Sequence, residues 1–278
     1  MSSSGILGFI LIVINIIVSY KGFTNQLFFE GYKFEVDKIL VNKDYKRLIT
    51  AGFLHVSWTH LFFNMFTLYA FSGNLEAYLG SIQFLLIYFT SLIGGHLLSL
   101  LIHKHHSDYS AVGASGAISG VVFTCIALFP GMDILIFGFA IPSWLYGIVY
   151  IAISIYGIKS KKDNIGHEAH LGGALIGMTV ALILSPASFI NNYITIVIIA
   201  VPTLIFIYLI ITKPSLLLID NFFVKKHTTY YSIDHKYNVE KRNKQQEIDF
   251  ILDKINRRGI DSLSKKEKEA LNDYANNS

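Results

Sequence analysis

The stretch Gly113-Ala114-Ser115-Gly116-Ala117 stands at the head of a long apolar run near the middle of the chain. Gly116 forms a G-x-x-x-G pair with Gly120, and small residues at this spacing let membrane helices approach each other closely. Ser115 supports a second interpretation, because the first N–H groups of a helix have no intrahelical partner and carry the positive end of the helix dipole. Such groups suit a developing oxyanion. The stretch is therefore typical either of close helix packing or of a serine nucleophile.

The composition indicates a polytopic membrane protein. Of the 278 residues, 53% are hydrophobic and only 15% are charged, and the mean hydropathy is +0.49. A soluble domain rarely combines so many apolar residues with so few charges. The single cysteine, Cys125, lies within an apolar run, which excludes a disulfide framework and a cluster of thiolate metal ligands.

Seven apolar stretches are long enough to be membrane spans, since a hydrocarbon core of ~30 Å needs about 20 helical residues. They are 4–20, 59–79, 82–102, 113–129, 133–157, 168–185 and 193–212. The first lacks a basic segment before it and a small-x-small cleavage site after it, so we expect a retained span. The fourth and sixth are short and rich in glycine, as expected for helices buried among others. We predict an all-α membrane protein, with a transmembrane domain (1–212) made of a six-span core (about 4–187) and a seventh span (about 193–212).

Two regions lie outside these spans. The segment 21–58 mixes aromatic and charged residues, and we expect it to pack on the membrane surface with some short helix of its own. Residues 213–278 form a polar tail to which we assign no activity. We expect two helices there. The first shows helical periodicity and ends at Gly259, and the second begins with the capping-box spacing of Ser264 and Glu267. The apolar positions of the first helix are Ile248, Ile251, Leu252 and Ile255.

His170 lies in the sixth apolar stretch, and a polar side chain inside a membrane span requires an explanation. One explanation is a histidine that is hydrogen-bonded across helices. The other is a base for Ser115. Gly173 and Gly177 repeat the G-x-x-x-G spacing, so the two helices can come close enough for a hydroxyl and an imidazole to hydrogen-bond, which gives the minimal activated nucleophile.

The second apolar stretch supplies His60 and Asn64, which lie on one helical face because they are four residues apart. Together with the Ser115 N–H group, they would provide three donors for an oxyanion. His55 is five residues before His60 and is expected to point to a different face, so we assign it to a loop.

Two other site types fit the sequence less well. His167, Glu168 and His170 suggest zinc, but the H-E-x-x-H pattern places its histidines four apart, whereas these are three apart and lack an obvious third ligand. We therefore expect no metal and no other cofactor. The nucleophile elbow G-x-S-x-G needs a glycine where Ala117 stands and a preceding strand, so an α/β-hydrolase is excluded.

Four segments, in this order, resemble the motifs of the rhomboid intramembrane serine proteases. Arg47-Leu-Ile-Thr-Ala-Gly-Phe53-Leu-His55 is similar to the end of the family's first loop, and His60-Leu-Phe-Phe-Asn64-Met65 to its H-x-x-x-N motif. Gly113-x-Ser115-Gly116 resembles the nucleophile motif, and Ala169-His170-Leu-Gly-Gly173 the base motif. The resemblance runs from the first predicted span to the sixth.

This resemblance implies a rhomboid-like helix bundle with a Ser115–His170 catalytic dyad that has no third, acidic member. It implies an oxyanion site made by His60, Asn64 and the Ser115 amide, and a structural role for Glu76. The other supporting residues are Gly113, Gly116, Gly173 and Arg47. The sequence departs from the family at Lys46, where a tryptophan often precedes the arginine, and at Ser119, where an aromatic residue often follows the nucleophile by one turn. Ser119 bears on how firmly the histidine ring is stacked.

We expect an intramembrane serine endopeptidase that cleaves transmembrane helices. The alternative is a catalytically silent rhomboid-like protein that binds membrane clients, against which the presence of both Ser115 and His170 argues. A transporter would need midplane charges and an internal repeat, and the sequence suggests neither. The expected partners are transmembrane substrates and the lipid bilayer, not nucleic acid. The expected location is the cell membrane, plasma or inner, as a multi-pass protein.

Two arguments about orientation disagree. With seven spans, all 23 basic residues fall on one side, which is also the side where Ser115 begins its helix. The positive-inside rule then predicts that this side is cytoplasmic. The resemblance to bacterial rhomboids implies the reverse. We favour the charge rule because the asymmetry is complete.

Overall fold

The computed structural model describes residues 5–104, 106, 109–136, 138–160 and 166–212, together with scattered positions between 248 and 274. The helices are α1 (Ile6–Thr24), α2 (Gln26–Tyr32), α3 (Val36–Leu40), α4 (Arg47–Thr50), α5 (Trp58–Leu79), α6 (Ser81–His103), α7 (Ser115–Leu128), α8 (Ser143–Ser160), α9 (His167–Leu184) and α10 (Pro186–Thr212). The strands are β1 (Phe34–Glu35), β2 (Ser110–Ala111), β3 (Asp133–Ile136) and β4 (Phe139–Pro142), and a 3-10 turn covers Ala51–Phe53.

Helix α7 is the centre of the bundle. Every residue from Gly116 to Leu128 is buried. Helices α5, α6 and α9 pack directly against α7, while α1 packs on α5, and α8 and α10 pack on α9. With 14 residues, α7 is about 21 Å long at ~1.5 Å per residue, which is shorter than the hydrocarbon core. The prediction that the fourth and sixth stretches form helices buried among others is confirmed.

Helices α7 and α9 touch through their backbones. A methyl group on Gly173 would overlap the carbonyl oxygen of Gly116, and one on Gly177 would overlap that of Gly120. On the neighbouring face of α9, a methyl group on Gly172 would come within 3.0 Å of the backbone of α6. The close helix approach predicted from the two G-x-x-x-G pairs is therefore confirmed. We call the contact of Gly173 and Gly177 with Gly116 and Gly120 the glycine seam.

Four helices in the described part of the chain are long and apolar enough to cross a membrane, namely α1, α6, α9 and α10. Helices α7 and α8 are apolar but shorter. Helix α5 has the length of a span, with 22 residues, but polar groups such as His60, Asn64 and Glu76 lower its hydropathy. The count of six spans plus a seventh is thus not confirmed, and the orientation argument that depends on it stays a prediction.

The predicted span at 133–157 begins too early. Residues Asp133–Ile136 and Phe139–Pro142 form an antiparallel hairpin, and α8 starts only at Ser143. Gly138 takes a φ of 86° in the turn, a conformation that glycine adopts without strain. Pro142 disfavours helix in the residue before it, and the isoleucines of this stretch suit a strand. The all-α prediction therefore holds for the long elements and is wrong for the connections, which contain two small sheets.

The last long helix is kinked just before the predicted seventh span. Helix α10 runs from Pro186 to Thr212, but its backbone leaves the helical region at Asn192 (φ −122°, ψ 15°), so the part after the kink matches the span predicted at about 193–212 and the part before it was not predicted. The Asn192 side chain donates hydrogen bonds to the carbonyl oxygens of Ala127 (2.9 Å) and Leu128 (3.2 Å) at the end of α7. The kink thus supplies partners for two carbonyl groups that the end of a helix leaves unsatisfied.

The long first connection contains the expected short helices, α2 to α4, and it is joined to the loop before α7. Strand β1 pairs antiparallel with β2, with Phe34 opposite Ala111. Phe34 is fully buried and packs in a small cluster with Val36, Ile39 and Ala51. This pairing holds the chain that leads into Ser115.

The C-terminal part, residues 220–278, forms a separate compact unit. Ile248 and Ile251 are buried against Leu263, whereas Leu252, in the same predicted helical pattern, is 49% exposed. The capping box is confirmed, because Ser264 N donates to Glu267 Oε2 (2.6 Å) and Glu267 N donates to Ser264 Oγ (3.3 Å). Gly259 and residue 213, where the tail is predicted to begin, lie outside the described residues.

We expect Gly173→Ala to lower the free energy of unfolding by about 1–3 kcal/mol, because the new methyl group meets a backbone oxygen that cannot rotate away. The measurement is thermal unfolding of the purified protein in detergent. Gly31→Ala is the matched control, since a methyl group on Gly31 in α2 meets no described atom within 4 Å. Equal unfolding temperatures for the two variants would contradict the seam.

Candidate active site

Ser115 is the first residue of α7, and the loop before it is held by backbone contacts. Gly113 N donates to the carbonyl oxygen of Ala51 (3.0 Å), which ties this loop to the 3-10 turn. Gly113 has a φ of 134°, which other residues rarely adopt. Ala114 precedes the helix without a side-chain cap, so the first N–H groups of α7 keep their positive potential facing the loop.

The His60 ring lies beside the same glycine. A methyl group on Gly113 would stand 2.9 Å from Cε1 and 3.1 Å from Nε2 of His60, and 3.7 Å from Ser115 Oγ. The imidazole and the hydroxyl therefore border one small space, which Gly113 leaves open. Asn64 follows one turn later on α5, is 7% exposed, and donates from Nδ2 to the His60 carbonyl oxygen (3.1 Å). The structure thus places His60 beside the loop that leads into Ser115, with Asn64 one turn further along α5.

His170 lies in the first turn of α9 and is 8% exposed. Its neighbour Ala169 contacts Gly116, where a methyl group would lie 3.3 Å from the Ala169 carbonyl oxygen. The residue after Ser115 therefore touches the residue before His170. His170 Nε2 is buried and has no hydrogen-bond partner among the described residues, so no bond from Ser115 reaches that atom here. In the tautomer with the proton on Nδ1, this nitrogen can accept a proton from a hydroxyl.

A tyrosine that was not singled out from the sequence also reaches this place. The ring centroid of Tyr150, on α8, is 5.8 Å from that of His170, with 37° between the planes. Its hydroxyl lies 2.6 Å from Ser119 Oγ, and Ser119 donates to the carbonyl oxygen of Ser115 (2.7 Å). The sequence offers three tyrosines in this span, Tyr146, Tyr150 and Tyr156, and gives no local signal of which one faces His170.

The expectation that His55 and His60 point apart is wrong. Their ring centroids are 4.9 Å apart with the planes at 71°. The helical-face argument fails because His55 precedes α5, where the chain is extended. His55 Nδ1 shares a hydrogen bond with Ser19 Oγ (2.8 Å). Burial, with a smaller contribution from the charge of His60, lowers the pKa of His55 to about 3, so this imidazole is neutral at physiological pH.

Glu168 is engaged by a histidine of another helix. Its Oε1 lies 3.0 Å from His103 Nε2, and the ring of Tyr109 stacks on His103 at a centroid distance of 3.6 Å. Among the residues that the structure describes, no group of three or more His, Cys, Asp or Glu side chains is arranged to hold a metal ion. The contact of Glu168 with His103 links the start of α9 to the end of α6.

The family model for the rhomboid domain matches residues 42–187, just over half of the chain, and this range contains Ser115, His170, His60 and Asn64. The chain belongs to the rhomboid family. It is therefore a multi-pass integral membrane protein.

Several curated rhomboids resemble the chain. It is 32% identical over 165 residues to the mitochondrial Rhomboid protein 1 of Saccharomyces cerevisiae, covering 56% of this chain and 48% of that protein. It is 34% identical over 146 residues to the putative rhomboid protease YdcA of Bacillus subtilis (52% and 69%). It is 29% identical over 176 residues to the rhomboid protease GluP of the same bacterium (63% and 32%).

The alignments cover only part of this chain and part of each relative. The chain spans about half the length of the first of these relatives. One relative is named as mitochondrial, so the comparisons do not support the cell membrane as the location of this chain. Residues 231–277, beyond the rhomboid domain, match a family of unknown function, DUF6576.

Within the rhomboid domain, Arg47 organises the first loop. Its guanidinium donates to Asp44 Oδ2 (2.9 Å) and to the carbonyl oxygens of Glu30 (3.0 Å) and Lys33 (2.6 Å), while only 5% of the residue is exposed. Burial alone would raise the pKa of Asp44, but the hydrogen bond from Arg47 and the charge of Lys46 lower it. Arg47 therefore ties together three separate positions of the segment before α5.

Glu76, at the far end of α5, receives the start of α1. Its carboxylate accepts hydrogen bonds from the backbone N–H groups of Leu7 (3.1 Å) and Gly8 (3.3 Å) and from Ser81 Oγ (2.7 Å). A carboxylate at a helix N-terminus is stabilised by the orphan N–H groups and the dipole. These contacts join three helices, which is a structural arrangement.

We expect Gly113→Ala to lower the free energy of unfolding by about 1–3 kcal/mol, from the unfavourable φ and from the contact with His60. Thermal unfolding of four proteins tests the second cause: wild type, Gly113→Ala, His60→Ala and the double variant. The effect of Gly113→Ala should shrink when His60 is alanine, because the ring is gone.

Gly131→Ala is the control for this cycle, since a methyl group there meets no described atom within 4 Å. Its effect should be small and identical in both backgrounds. A Gly113→Ala effect that is as large in the His60→Ala protein as in the wild type would show that the ring is not what Gly113 accommodates.

Proposed function

We propose that this rhomboid-family chain is an intramembrane serine endopeptidase that acts through Ser115 and His170. The observation that carries the proposal is the contact between Gly116 and Ala169, which brings the neighbours of these two residues together at the ends of two buried helices. A serine beside a base is the minimal activated nucleophile. The relatives named as rhomboid proteases support the same activity.

In the proposed first step, His170 Nε2 takes the proton of the Ser115 hydroxyl as Oγ attacks the carbonyl carbon of a peptide bond. Negative charge then develops on the carbonyl oxygen. The Ser115 N–H group, His60 with its proton on Nε2, and Asn64 Nδ2 donate to this oxygen. His170 next gives its proton to the leaving amine, which breaks the C–N bond and leaves an acyl-enzyme at Ser115.

In the second step, water replaces the amine. His170 takes a proton from the water molecule, the hydroxide oxygen attacks the acyl carbon, and the proton returns to Ser115 Oγ as the ester breaks. No charged partner for His170 is required, because the buried imidazole begins and ends each step neutral.

The proposed substrates are transmembrane helices of other proteins. A helix in lipid keeps its backbone hydrogen-bonded, so the scissile bond becomes accessible only where the helix unwinds. Residues of low helix propensity, such as glycine, lower the free energy needed for that opening by up to about 1 kcal/mol each.

We expect Ser115→Ala and His170→Ala each to abolish cleavage of a transmembrane substrate while the protein remains folded. Because the two residues act as one unit, the double variant should be no less active than either single variant. The measurement is cleavage in detergent or liposomes, with labelling of Ser115 by a fluorophosphonate probe in parallel. Turnover near the wild-type rate in either single variant would refute catalysis by Ser115 and His170. Binding of the substrate by the wild type with no cleavage would favour a client-binding protein.

Asn64→Ala should slow cleavage about a hundredfold without abolishing it, because one of three oxyanion donors is lost and the nucleophile is kept. Asn74→Ala is the matched control, since Asn74 lies on the same helix about 15 Å further along its axis. Cleavage rates and probe-labelling rates should both fall for Asn64→Ala alone. If the two variants cleave at the same rate, Asn64 is a packing residue.

A further inference from the structure

Tyr150 makes three contacts with the helices that carry the proposed dyad. Its ring lies 5.8 Å from that of His170 on α9 and 5.5 Å from that of Phe123 on α7, the latter at 63°. Its hydroxyl lies 2.6 Å from Ser119 Oγ, also on α7. The side chain of Tyr150 therefore stands between the two helices whose relative position sets the site.

The hydrogen bonds at Ser119 form a directed chain. A serine hydroxyl has one proton, and the carbonyl oxygen of Ser115, 2.7 Å from Ser119 Oγ, can only accept. Ser119 therefore donates to Ser115 O, and Tyr150 must donate to Ser119 Oγ. Hydrogen bonds in such a series strengthen each other. The chain fixes the Tyr150 ring relative to the residue that carries the proposed nucleophile.

The small size of Ser119 is what admits this ring. Ser119 lies one turn after Ser115 and is only 1% exposed. A large side chain at this position would occupy the volume that the Tyr150 hydroxyl and ring now fill. The departure from the family at Ser119 is thus accompanied by an aromatic ring from a different helix, α8.

We propose that Tyr150 is the positioning residue for His170. Its ring fixes the plane of the imidazole, and its hydroxyl, bonded to Ser119, fixes that ring relative to the helix that begins at Ser115. This inference rests on the proposed function. The glycine seam sets the separation of α7 and α9 but does not fix the side-chain torsions of His170. Two rings lie beside the imidazole, those of His167 (5.4 Å) and Tyr150 (5.8 Å), and of these two Tyr150 belongs to a different helix. A ring packed against the imidazole restricts those torsions, and it acts on the chemical step rather than on substrate binding.

The test is a kinetic comparison of variants with a transmembrane substrate. Tyr150→Leu should lower kcat roughly tenfold and leave KM within about twofold, because the ring contact is lost. Tyr150→Phe keeps the ring and loses the hydroxyl, so kcat should fall only about fivefold. Ser119→Ala should resemble Tyr150→Phe, and the double variant should be no slower than the slower single variant, since both remove the same bond.

Tyr156→Leu is the matched control, because Tyr156 is on the same helix and is 63% exposed. Its kcat should equal that of the wild type. Rates are divided by the folded fraction, measured by thermal unfolding at the assay temperature. A Tyr150→Leu kcat equal to that of Tyr156→Leu after this correction, or a rise in KM with unchanged kcat, would overturn the inference. So would independent, multiplying effects of Tyr150→Phe and Ser119→Ala.

The failure of this inference and of the proposed function are distinguishable. Ser115→Ala is assayed on the same substrate. If Ser115→Ala cleaves it at the wild-type rate, the protease proposal fails. If Ser115→Ala is inactive while Tyr150→Leu is fully active, the dyad stands and only the assignment of Tyr150 is overturned.

Discussion

The contact of Gly173 with the carbonyl oxygen of Gly116 is the constraint on which the rest of the structure depends. Backbone against backbone is the closest approach that two helices can make, and it leaves no room for a side chain at Gly173 or Gly177. Because Ser115 and His170 begin the same two helices, this contact sets the distance between them. The burial of α7 and the packing of α9 on α6 through Gly172 follow from the same closeness.

The sequence predicts the long helices and their closest contact, because both depend on local spacing. G-x-x-x-G places two glycines on one helical face whatever surrounds the helix. The hairpin at 133–142 was missed because apolar character does not distinguish a buried strand from a helix, and Pro142 was the local signal available. The helical segment of α10 before residue 193 was not predicted because Asn192 interrupts the apolar pattern, whereas its side chain bonds to the end of α7 at the kink.

The candidate site likewise contains residues that the sequence predicts and residues that it does not. Ser115, His170, His60 and Asn64 stand out in the sequence because a polar group in an apolar span has a cost that must be offset. The partners of these residues do not stand out. Whether Tyr150 faces His170 depends on how α8 is rotated about its own axis, which contacts between distant residues decide.

The glycine seam has a consequence for the entropy of assembly. Glycine has no rotamers, so docking α9 on α7 freezes no side chain along the seam itself, whereas a leucine interface loses about 0.5–1 kcal/mol of rotamer entropy per residue. The entropic penalty of glycine falls instead on forming each helix, a step that lipid already favours by penalising unbonded backbone. The two steps are thus separated, and the spacing at the seam has no alternative rotamer states through which it could fluctuate.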